Sequence, residues 1–114
     1  MDARRDPDQP AVLRVVESGE RVDLMAEAGE VHLLLTDRRV VVAAGERVSL
    51  DVPFAGLRRV QFDIERKRPA TLVIVPEDPR REPQVLAVPP SSYGDVTAAL
   101  ATIGQRLAES EEAS

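Results

Sequence analysis

The sequence predicts a mainly β domain that ends in one C-terminal α-helix, and three observations carry that prediction. Seven short runs rich in Val, Leu and Ile are separated by Gly, Pro and Asp turn residues. After Pro89-Pro90 the apolar spacing switches from two to three and four. Aromatic residues make up only 3% of the chain, so the core has to be assembled from Val, Leu, Ile and Ala. Branched aliphatic side chains of that kind suit a pleated surface.

Taken in order, residues 1–9 read as a polar arm rich in Asp, Arg and Pro, and residues 10–109 as a single domain. Residues 11–18 fit either a short helix, with Pro10 before and Gly19 after, or a strand of β-branched valines. Val22, Leu24 and Ala26 alternate with charged residues as a half-buried strand, and Ala28-Gly29 turns it. Val31 to Leu35 is apolar on both faces. Thr36-Asp37 supplies a turn, because a short Asp side chain bonds the backbone two residues on. Arg39 to Ala43 is the third strand. Ala44-Gly45-Glu46 leads to the fourth, Val48-Leu50-Val52, which Pro53 stops. Val60, Phe62 and Ile64 alternate along a fifth strand, Arg59 to Glu65, with Phe62 and Ile64 toward the core. Thr71 to Val75 and Val85 to Val88 complete the set. Tyr93, Val96, Leu100, Ile103 and Leu107 form one helical stripe, opened by a Ser92…Asp95 capping pair. Residues 110–114 read as an acidic tail.

Bulk properties narrow the function. With 114 residues, 43% hydrophobic and 31% charged, the chain is one globular domain. It has no cysteine, so disulfides, thiolate metal sites and cysteine nucleophiles are excluded. A formal net charge of −5 argues against a nucleic-acid binder, whose affinity comes from positive surface. No apolar run approaches the roughly 20 residues that span a bilayer. The N-terminus is polar, which makes the cytoplasm the expected location.

Two segments resemble a known family. Leu33–Val42 carries an apolar strand, Thr36-Asp37-Arg38-Arg39 and a second apolar strand. Val52–Phe62 carries an apolar residue, Pro53-Phe54, Leu57 and Val60 in a set order. Both are similar to bacterial pleckstrin-homology-like domains and their relatives, the GRAM domains, over roughly residues 10–109. The resemblance implies a seven-stranded, partly open antiparallel barrel capped by one helix. Phosphoinositide-binding members of that superfamily grip phosphates with Lys and Arg around the first hairpin loop. Here that loop is Glu27-Ala28-Gly29-Glu30, acidic and without a single Lys or Arg, so the usual lipid site does not transfer.

Each candidate constellation has a structural reading beside a chemical one. Thr36-Asp37-Arg38-Arg39 reads as a hairpin turn, since successive strand residues point to opposite faces and do not converge on one ligand. His32 is the only histidine, and one imidazole makes neither a catalytic triad nor a zinc site. Glu77-Asp78 and Glu111-Glu112 lie in a loop and a tail without a rigid frame. The expectation is no catalytic residues, no cofactor and no metal: the chain is read as a non-enzyme.

The leading expectation is a non-catalytic binding module, an adaptor or accessory protein that engages a protein or peptide by strand addition beside the C-terminal helix. Arg59, Gln61 and Asp63 are then the partner-facing side chains. The alternative is peripheral membrane association through the basic loops, with Arg66, Lys67, Arg68, Arg80 and Arg81 as anion contacts. An exposed strand edge also leaves a homodimer open.

Overall fold

The structure is a computed structural model that describes residues 10–113, with side chains to residue 109. The expected N-terminal arm, residues 1–9, lies outside the described residues.

Seven strands and a long C-terminal helix form in the expected order. Strands β1 (Val22–Ala28), β2 (Val31–Thr36), β3 (Arg39–Ala44) and β4 (Arg47–Pro53) make one antiparallel sheet in sequential order. Strands β5 (Leu57–Asp63), β6 (Ala70–Pro76) and β7 (Gln84–Val88) make a second. No strand pairing joins the two sheets, so the expected barrel stays open as two sheets of four and three strands. A single turn of 3-10 helix, Phe54–Gly56, carries the chain from one sheet to the other.

The main core lies between the sheets. Leu33, Leu35, Val40, Val42, Leu50 and Val52 from the first sheet meet Leu57, Leu72, Ile74, Leu86 and Val88 from the second. Helix α2 (Tyr93–Ala113) adds Val96, Ala99 and Ile103, each no more than 2% exposed, and lies chiefly along β1. The expected stripe is therefore present, with Ala99 as an addition at its centre. Ser92 ends a turn of 3-10 helix whose N–H to Pro89 carbonyl bond of 2.9 Å leads into α2. The backbone of α2 runs to Ala113, so Glu111 and Glu112 continue the helix rather than starting a tail.

A second, smaller core occupies the outer face of the four-stranded sheet. Residues 11–18 resolve as a short helix, α1 (Ala11–Arg14), followed by irregular chain. Ala11 and the fully buried Val12 rest on Leu34, Val41 and Ala43. This explains why β2 and β3 read as apolar on both faces: each is covered on both sides.

Three β-bulges interrupt the ladders, each admitting one extra residue. They fall at Asp23 in β1, Ser49 in β4 and Arg58 in β5. The carboxylate of Asp23 accepts 2.6 Å and 2.7 Å hydrogen bonds from Arg106 and Arg21, which pins α2 to the sheet edge. These two guanidinium groups, Arg21 first, hold the Asp23 carboxyl below its usual range against the opposing effect of burial.

Candidate binding edge and the charged clusters

Strand β5 is one edge of its three-stranded sheet and pairs only with β6. Its start is tightly placed. A side chain at Gly56 would meet the Cβ of Val52 at 3.3 Å, and the Glu77 N–H donates to the Gly56 carbonyl at 2.8 Å. After the bulge at Arg58, Val60 and Phe62 turn inward and pack on the core. The Phe62 ring meets Tyr93 edge-on, 5.7 Å between centroids and 80° between planes, which ties β5 to the first turn of α2. Arg59, Gln61 and Asp63 are exposed, as the alternation requires. The Gln61 amide donates to both Asp63 carboxylate oxygens at 3.0 and 3.2 Å.

Two details differ from the sequence reading. The strand covers Leu57–Asp63 rather than Arg59 to Glu65. Ile64 lies past its end and is 60% exposed instead of facing the core. The bulge at Arg58 lets pairing begin at Leu57, and the chain leaves the ladder before Ile64 can turn inward.

The other sheet edges are treated differently. Side chains from the β6–β7 connection and the start of β7 reach the β4 backbone. Arg81 donates to the Asp51 carbonyl at 3.3 Å and Gln84 to the Ser49 carbonyl at 3.4 Å. They bridge a groove of about 640 Å³ lined by Val48, Leu50, Pro83 and Val85. Helix α2 lies on β1, and β7 also comes close to β1. No side chain among the described residues caps a β5 backbone group.

The basic residues fall into two places. Arg66, Lys67 and Arg68 occupy the β5–β6 turn, where Lys67 takes a φ of 65° and Arg68 lies 3.9 Å from Glu65. Arg80 and Arg81 sit in the β6–β7 connection. Arg80 folds back on Asp78 with two side-chain bonds of 3.2 Å. That contact, with the Arg80 backbone N–H, holds the Asp78 carboxyl below its usual range. The two clusters flank opposite ends of the seven-residue β6, about 20 Å apart along a strand of that length. The structure does not bring them together.

The hairpin Thr36-Asp37-Arg38-Arg39 forms a turn, but its chemistry is divided differently than expected. The Thr36 hydroxyl, not Asp37, accepts the N–H groups of Arg38 and Arg39 at 3.0 and 3.1 Å. Asp37 instead reaches the Arg21 backbone, accepting its N–H at 2.9 Å. Arg38 is exposed, whereas Arg39 is gathered into a network that sequence reasoning missed. Its guanidinium donates to Glu20 Oε1 and Oε2 at 2.7 and 2.8 Å, to Asp51 Oδ2 at 3.0 Å and to the Val15 carbonyl at 2.6 Å. Glu20, with no exposed side-chain surface, also accepts from the Thr36 hydroxyl at 2.6 Å and the Glu17 N–H at 2.9 Å. The Arg39 hydrogen bonds dominate desolvation here and lower the Glu20 pKa to about 2. Every buried side-chain polar atom among the described residues has a partner, so this cluster is a fastening for residues 15–21 with no open coordination. One signal was available beforehand: in a β3–β4 hairpin Asp51 opposes Val41, which places it diagonal to Arg39 on the same face.

His32 stands directly across from Glu27 in the β1–β2 ladder, 3.4 Å from its carboxylate, half-buried. Among the described residues no three His, Asp or Glu side chains converge as a metal site would require. Among the described residues no helix is long and apolar enough to cross a membrane.

No protein-family model and no curated protein matches this sequence. Among solved structures, the chain is similar to a pleckstrin homology domain from Shewanella amazonensis SB2B, with a TM-score of 0.60 and 17% identity. The likeness covers 83% of this chain and 90% of the other. Two antiparallel sheets of four and three strands, with a C-terminal helix packed against them, therefore make this a pleckstrin-homology-like fold.

Proposed function

We propose that the domain is a non-catalytic binding module, an adaptor or accessory protein whose β5 edge accepts an extended strand of a protein partner. The observation that carries this reading is that β5 pairs on one side only while presenting Arg59, Gln61 and Asp63 outward. Backbone groups on such an edge supply affinity, and alternate side chains supply selectivity. The Phe62–Tyr93 contact supports it by holding the strand against the helix. The fold itself is shared by proteins of many functions and adds no partner identity.

The test is selection of extended peptides from a displayed library, followed by NMR mapping. Shift changes and slowed amide exchange are expected at Arg59–Asp63. Methylating alternate backbone nitrogens of a selected peptide removes its ladder bonds without altering the domain, and each is expected to weaken binding about tenfold. Unchanged affinity at every methylated position, or shifts confined to other surfaces, refutes the reading. Binding to phosphatidylserine vesicles that is lost with salt and with Arg66, Lys67 and Arg68 neutralised would favour the membrane alternative instead.

A further inference from the structure

We infer that the strand accepted by β5 is β5 of a second copy of this chain, paired antiparallel about a two-fold axis at Gln61. This rests on the edge reading above and names its occupant.

The outward residues run Arg59, Gln61, Asp63: positive, neutral, negative. Read backwards, as an antiparallel neighbour presents itself, the order is negative, neutral, positive. Pairing about Gln61 sets Arg59 opposite Asp63 of the second copy, and Asp63 opposite its Arg59. Directly opposed Cβ atoms in such a ladder stand about 5 Å apart, within ion-pair reach of both side chains.

Neither charge is satisfied within one chain. Among the described residues Arg59 has no ion-pair or hydrogen-bond partner through its side chain, and Asp63 meets only the neutral Gln61 amide. Four residues apart along one strand, the two are about 13 Å from each other and do not pair. A two-fold axis resolves both charges at once. On the inward face the same register sets Val60 against Phe62 of the second copy, twice. Both residues are half-buried, unlike the fully covered Leu72 and Ile74 on the neighbouring strand. The pairing covers surface that this sheet leaves open. It also closes the assembly at two copies, because an isologous contact consumes the same edge on each.

The measurement is sedimentation equilibrium on the full chain across a dilution series, distinguishing the 12.5 kDa monomer from its dimer. The contact involves one short strand, so the dimer is expected to be weak and to dissociate on dilution. Arg59→Asp and Asp63→Arg each place like charges opposite one another twice, and each alone is expected to raise the dissociation constant at least about tenfold. An equimolar mixture of the two variants restores both opposite-charge pairs, and is expected to recover dimer as a mixed species. Misfolded variants would not recover, and the circular dichroism of each alone checks that they fold. A wild type that stays monomeric at millimolar concentration overturns the inference, while the peptide test decides the edge reading separately. A dimer indifferent to both charge changes, or a mixture of folded variants that does not recover, overturns it as well.

Discussion

Replacing Glu20 with Gln should remove one of the largest single electrostatic contributions to this fold, and should do so in a pH-dependent way. The carboxylate is fully covered and takes hydrogen bonds from Arg39, Thr36 and the Glu17 backbone. Its pKa is lowered from 4.5 to about 2, chiefly by the Arg39 side-chain bonds. Because the folded value lies below the unfolded one, the stabilisation is fully present above pH 4.5 and is lost as pH falls toward 2. The gap corresponds to about 3 kcal/mol at pH 7, and about 1 kcal/mol of it should remain at pH 3. Gln keeps the shape but not the charge, and it presents an amide N–H₂ to a ring of donors. Urea unfolding followed by far-UV circular dichroism suits a chain with no Trp and one Tyr. Other carboxylates titrate in the same range, so the quantity to read is the difference between wild type and Glu20→Gln. That difference should shrink from about 3 kcal/mol at pH 7 to about 1 at pH 3. A difference below 1 kcal/mol at pH 7, or one that does not change with pH, would show that the Arg39 network is not coupled to folding as its geometry implies.

Three further outcomes follow from other contacts. Val12→Ala should cost about 2 kcal/mol in urea unfolding, because Val12 is fully buried between α1 and the outer face of the sheet. Lys67→Gly should stabilise the protein by about 0.5–1 kcal/mol, seen as a higher urea midpoint, since Lys67 is exposed and held at a φ of 65°. A double-mutant cycle of Phe62→Leu and Tyr93→Leu should give a coupling of about 0.5–1.5 kcal/mol from the edge-on ring contact. A coupling near zero would detach β5 from the helix energetically.

Strand positions were legible because hydrophobic patterning is local: the continuous apolar runs Leu33 to Leu35, Val40 to Val42 and Leu72 to Ile74 declare themselves from their own neighbours. The helix stripe was legible for the same reason. The phase of β5 at its ends was not, because the bulge at Arg58 is set by the β6 partner rather than by β5 itself. The Arg39 network was hidden further, since Glu20 and Arg39 are 19 residues apart and meet only once β1 has paired with β2, which sets Val22 across from Thr36. Asp37 was the nearer and more conventional turn residue, and Thr36 took its role because its hydroxyl also had Glu20 to donate to. Of the candidate edge, the exposed faces of Arg59, Gln61 and Asp63 followed from alternation. That β5 pairs on one side only followed from the sheet order. The distance between the two basic clusters also came from topology, because only the length of β6 separates them.

The bulge at Arg58 bears on how this chain can change in length. Leu57 faces the core and Arg59 faces solvent although they stand two positions apart, a spacing that in plain alternation would put them on one face. Deleting Arg58 would leave Leu57 inward, Arg59 outward and Val60 inward, now in plain alternation. A one-residue deletion inside a strand ordinarily inverts everything downstream of it. Here it would invert nothing. Arg58 is thus a residue whose loss leaves Arg59, Gln61 and Asp63 on the outer face.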